Sequence, residues 1–97
     1  LMVQRGLTEL LRKQGNQDRA RDHLADAVRH AERLGDRGVA AELSLKAGHY
    51  AELARDYKAA SEHYKRGRQW AEEVDLDKLI HLADKRLRQV AEAAESE

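Results

Sequence analysis

The sequence predicts an all-α protein, an α-α superhelix of antiparallel helical hairpins with five helices, and three observations predict it. The 97 residues include no proline, which would interrupt a helix interior. Charged residues are 37% of the chain and mostly Arg, Lys and Glu, and sixteen of the hydrophobic residues are alanine, all compatible with amphipathic helices. Finally, the sequence resembles itself at a shift of forty residues, the signature of a stacked repeat. Ala20, His23, Ala31 and Glu32 fall on Ala60, His63, Ala71 and Glu72, and Leu24 falls on Tyr64, Ala27 on Gly67 and Leu34 on Val74. A second shift lays Val39, Leu43, Ala47, Tyr50 and Ala51 on Leu79, Ala83, Leu87, Val90 and Ala91.

Apolar residues three and four apart share one face of a 3.6-residue turn and mark each helix in order. The first predicted helix, about 2–14, carries Val3, Leu7, Leu10 and Leu11; Gly15-Asn16 ends it with residues that tolerate a left-handed backbone. The second starts near Asp18, runs through Ala20, Leu24, Ala27, Val28, Ala31 and Leu34, and meets Gly35-Asp36, a stop followed by a new cap. The third occupies about 37–54, with Val39, Leu43, Ala47 and Ala51 as its packing row. Arg55-Asp56 separates it from the fourth, about 57–74, whose inner row is Ala60, Tyr64, Gly67, Ala71 and Val74. Asp75 and Asp77 open the fifth, about 77–95, with Leu79, Ile80, Ala83, Leu87, Val90, Ala91 and Ala94 on its apolar side. The small residues let helix backbones approach while Leu24, Tyr64 and Trp70 fill the gaps.

With these residues the chain resembles the tetratricopeptide repeat (TPR) family, in a longer-period variant of about forty residues. The second repeat carries the pattern best: Gly48 on its first helix, Arg55-Asp56-Tyr57 at the turn, then Ala60, Tyr64 and Gly67. The first repeat has Leu7, Leu11, Gly15, Ala20, Leu24 and Ala27, but Thr8 stands where Gly48 does and Gln17 where Tyr57 does. The closing proline common in the family is missing, and the spacing exceeds its usual period of about 34. The linkers Leu34-Gly35-Asp36 and Val74-Asp75-Leu76 look like those of the subgroup found in motor-protein light chains, polarity adaptors and bacterial regulators. The expected organisation is one TPR-like domain over 1–97: repeat 1 at about 2–35, repeat 2 at about 37–75, and a capping helix at about 77–95, as a segment of a longer protein.

The resemblance implies a scaffold that binds a peptide or partner protein in a concave groove. Its lining would be Arg5, Glu9, Arg12 and Lys13 from the first helix, Glu42, Leu45, His49, Glu52 and Leu53 from the third, and Lys85, Gln89 and Glu92 from the fifth. Leu45 and Leu53 are expected to point away from the packing row, so that changing them to serine spares the fold. The pair that holds a terminal carboxylate in one subclass of the family is missing, since Glu9 and His49 stand where asparagine is needed. The alternative function is homo-oligomerisation, or a regulatory helical domain of a larger protein such as a bacterial regulator. Leu1, Met2 and Val3 open a short first helix, which predicts either preceding repeats or self-association there.

Charge and composition weigh against other classes. Eighteen basic and eighteen acidic residues cancel and are interspersed, leaving no basic footprint for nucleic acid. No run of eighteen apolar residues exists, so no membrane partner is expected, and the lack of cysteine suits a reducing compartment, with the cytoplasm as the expected location. His23, Asp26 and His30 share a helix face with ligand-like spacing, but Arg29 and Arg33 add positive charge beside them, and no metal or other cofactor is expected. Thr8, Ser44, Ser61 and Ser96 sit in no nucleophile motif, the six glycines form no phosphate loop, and enzymatic activity is not expected.

Overall fold

A computed structural model of the chain describes the backbone of residues 2–97 and the side chains of residues 15, 16 and 18–97. The chain is all-helical: α1 (Met2–Leu34), α2 (Arg37–Leu53), α3 (Tyr57–Glu73) and α4 (Asp77–Ser96). Each helix packs on the next, and α2 also touches α4.

Among the described residues four helices stand where five are predicted, because the break expected at Gly15-Asn16 is not made. Residues 2–34 run as one helix, so the first repeat is not a hairpin. A single glycine costs a helix interior only about 1 kcal/mol relative to alanine, and good helix formers precede this one from Leu10 to Gln14. No atom outside the helix comes within 4 Å of a Cβ placed on Gly15, so nothing at this point of the described structure forces a turn.

The other turns form, and they are alike. At each, one residue enters the left-handed region, Gly35 (φ 74°), Arg55 (φ 60°) and Asp75 (φ 55°), spaced by twenty. The amides of Asp36, Asp56 and Leu76 donate to the carbonyls of Ala31, Ala51 and Ala71 at 3.0, 2.9 and 2.9 Å. The amides of Gly35, Arg55 and Asp75 donate to the carbonyls of Glu32, Glu52 and Glu72. This paired closure is the Schellman motif. Asp36 and Asp56 then cap α2 and α3, accepting from the amides of Val39 and Ala59 at 3.3 and 3.2 Å. At α4 the expected aspartate cap is not made: Leu76 occupies the cap position, Asp75 is used up in the left-handed turn, and Asp77 lies in the first turn, where its charge suits the helix dipole.

Close approach replaces bulk in the core. Helix α2 is buried on two sides, through Ala40, Ala41, Ser44, Leu45, Ala47, Gly48 and Ala51, because α1 and α3 flank it. A Cβ on Gly48 would lie 2.6 Å from Cε1 of Tyr64, and one on Gly67 would lie 3.1 Å from Cδ2 of Leu45 and 3.2 Å from the Ala41 carbonyl oxygen. The predicted inner row of α3 is buried at Ala60, Tyr64, Gly67 and Ala71. Val74 is an exception, as are Leu34 and Val39: all three lie at helix ends where the turns carry them into solvent. Ala83 and Val90 of α4 complete the cluster, with Leu79 and Leu87 against it.

Candidate functional site

Helices α2 and α4 flank α3, and between them lies an open depression of about 370 Å³. Leu45 and Tyr50 come from α2, Tyr64 from α3, and Leu79 and Leu82 from α4; Glu42, Lys46, His49 and Arg86 form the polar part of its lining. Spacing explains the convergence. Glu42, Leu45, Lys46 and His49 lie three or four residues apart on α2, and so do Leu79, Leu82 and Arg86 on α4.

Tyr64 is the fixed element. It is 1% exposed, and its hydroxyl donates to Oε1 of Glu52 at 2.5 Å. Burial, and next this hydrogen bond, push its phenol far above the usual range, so it stays a neutral donor. Gly48 lies beneath the ring. The His49 and Tyr50 rings meet edge to face at 6.1 Å. Arg86 donates to Oε1 of Gln89 at 3.4 Å, and among the described residues neither Lys46 nor Arg86 lies in an ion pair.

Of the residues predicted to line a groove, Glu42, Leu45 and His49 line this depression. Leu45 does so from the core, however. It is 7% exposed and supports Gly67, so the expectation that it can be changed to serine without harm is wrong. The error came from treating α2 as one-sided, whereas two neighbours bury it through two rows. Leu53 is 52% exposed near the end of α2 and lies outside the depression. Glu52 is engaged with Tyr64, and Lys85, Gln89 and Glu92 are exposed on α4 away from the lining. Arg5, Glu9, Arg12 and Lys13 lie outside the described side chains.

The sequence reading missed Lys46, Tyr50, Tyr64, Leu79, Leu82 and Arg86 as lining. Leu82 carried a signal in the sequence, an apolar residue three after Leu79 that falls outside the row read as core, and the structure leaves it 38% exposed. No protein-family model, curated protein or solved structure matches the chain. The site therefore rests on its own geometry.

The other singled-out residues do not converge. His23, Asp26 and His30 are exposed, Asp26 pairs with Arg29, and among the described residues no three His, Cys, Asp or Glu side chains gather as metal ligands. His63, the counterpart of His23 forty residues on, is half-buried, and burial followed by the charge of Arg21 holds it below the usual imidazole value. Arg21 reaches from α1 to Oδ2 of Asp56 at 3.1 Å. The amide of Ala59, and then Arg21, hold the Asp56 carboxyl below its usual value. Trp70 and Tyr64, six residues apart on α3, face different surroundings: Trp70 lies beside Glu32, Gly35, Arg37 and Ala40, where α1 turns into α2. No described helix is long and apolar enough to cross a membrane.

Proposed function

We propose that the chain is a TPR-like protein-protein interaction scaffold of the cytoplasm, binding a peptide or partner protein across the face shared by α2 and α4. One observation carries this reading: an open depression of about 370 Å³ with Leu45, Tyr50, Tyr64, Leu79 and Leu82 in its lining and charged residues of both signs around them. Concave, mostly apolar sites with a few placed polar groups are where proteins bind ligands. Tyrosine and arginine are, with tryptophan, the side chains enriched at binding hot spots. The depression suits one bulky apolar side chain as an anchor, with Lys46 and Arg86 beside it favouring a carboxylate next to that anchor.

Selection of peptides from a random displayed library on the immobilised chain tests this. Recovered peptides should share an apolar anchor flanked by an acid. They should lose binding to Leu82→Glu and Arg86→Glu, and keep it to Leu53→Ser, which lies outside the depression. Peptides that bind Leu82→Glu and the parent chain equally would place the binding surface elsewhere.

A further inference from the structure

Helix α1 has a face that its position in the repeat says should be covered. The shift of forty residues equates Ala20, Leu24, Ala27 and Ala31 of α1 with Ala60, Tyr64, Gly67 and Ala71 of α3. On α3 all four are buried, with Tyr64 against Gly48 and Gly67 against Leu45 and Ala41 of α2. On α1, Ala31 is buried, yet Ala20, Leu24 and Ala27 remain only half-buried. The same shift lays residues 2–14 on α2, with Thr8 at the position of Gly48. The segment at the repeat position that covers this face is thus present in the sequence, with Arg5 where α2 has Leu45, but a helix that runs unbroken over Met2–Leu34 cannot fold back on itself.

A second copy of the chain can supply the segment. A 33-residue helix is about 50 Å long and 17-residue α2 about 25 Å, so roughly half of α1 has no counterpart in the length of α2. The register of the α2–α3 pair sets Gly48 against Tyr64 and Leu45 against Gly67. Forty residues earlier, that register becomes Thr8 against Leu24 and Arg5 against Ala27, and both pairs are symmetric about residue 16. Two α1 helices laid antiparallel across a two-fold axis at Asn16 therefore satisfy both halves at once, as an isologous interface requires. We propose that the chain dimerises in this way, residues 2–14 of each copy covering Ala20, Leu24 and Ala27 of the other. The proposal is independent of the peptide-binding reading, since the α2–α4 depression lies on other residues.

The chain has no cysteine, which makes the test direct. The unmodified chain should show twice its 11.0 kDa mass by light scattering, the dimer dissociating on dilution. The double variant Thr8→Cys/Leu24→Cys, oxidised, should run as a covalent dimer on a non-reducing gel. A monomeric mass over the whole concentration range would overturn the proposal. So would a disulfide closed within one chain, because it would mean that the segment folds back at Gly15-Asn16. A dimer of the unmodified chain with no cross-link in the variant would refute the register.

Discussion

Gly48→Ala tests whether close helix approach, rather than helix propensity, holds the core. Two effects oppose each other. Replacing glycine in a helix interior with alanine favours the helix by about 1 kcal/mol. Against this, the new methyl group would lie 2.6, 2.7 and 2.9 Å from three ring atoms of Tyr64, closer than carbon atoms can come. The ring has little room to yield, being 1% exposed and tied through its hydroxyl to Glu52. Overpacking in a well-packed core costs about 1–3 kcal/mol, and a confined ring puts this site at the upper end. The expected net loss is about 2 kcal/mol, which lowers the melting temperature of a domain this size by roughly 8–16 °C. Thermal and urea melts followed by circular dichroism at fixed chain concentration measure it. Gly38→Ala, where the new methyl group would meet Cδ1 of Leu76 at 3.8 Å, an ordinary contact, is the control and should stabilise by about 0.5 kcal/mol. In a Tyr64→Leu background Gly48→Ala should cost less, giving a coupling of at least about 0.5 kcal/mol. A rise in melting temperature with Gly48→Ala would refute the packing argument.

Ala60→Leu, at a fully buried position against α2, should destabilise by about 1–3 kcal/mol in the same melts; an unchanged midpoint would mean that α3 is not packed as described. Arg55 holds a left-handed backbone at φ 60°, so Arg55→Gly should stabilise by about 1 kcal/mol and raise the midpoint. Ser44 is wholly buried and its hydroxyl has no partner among the described residues, so Ser44→Ala should raise the urea midpoint, by about 1 kcal/mol of stability. Stability should fall on acidification through two groups. His63 is depressed below its usual value, so its contribution is present above the unfolded imidazole value near 6.5 and is lost as pH falls through the folded one. Asp56, also depressed, contributes above its unfolded value near 3.8 and loses this at still lower pH. His63→Gln should flatten the urea midpoint between pH 7 and 5, leaving the more acidic fall in place; an unchanged slope there would show that His63 is not the group responsible.

Much of the fold was legible because its signals are local. Asp36 and Asp56 announce their caps, Gly35 its left-handed turn, and Ala60, Tyr64, Gly67 and Ala71 their shared face, since each depends on neighbours within a turn or two of helix. The site was only partly legible. Glu42, Leu45 and His49 were named from the family resemblance and do line the depression, but Leu79, Leu82 and Arg86 join them only because α4 lies across from α2.

The sequence by itself determined the all-helical class, the positions of three turns and the rows of small residues that permit close contact. Tertiary structure decided the rest. Gly15-Asn16 carries a turn signal like Gly35-Asp36, yet the chain turns only at the second, where α2 lies against Val28 and Ala31 of α1. Leu45 and Leu53 are the same residue type on one helix, and the cluster with Tyr64, Ala83 and Val90 of α3 and α4 buries the first while the second stays in solvent. A turn signal costs or gains about 1 kcal/mol, whereas burying a leucine against a neighbour contributes about 1.5–3, so packing partners outweigh local preference wherever they are in reach.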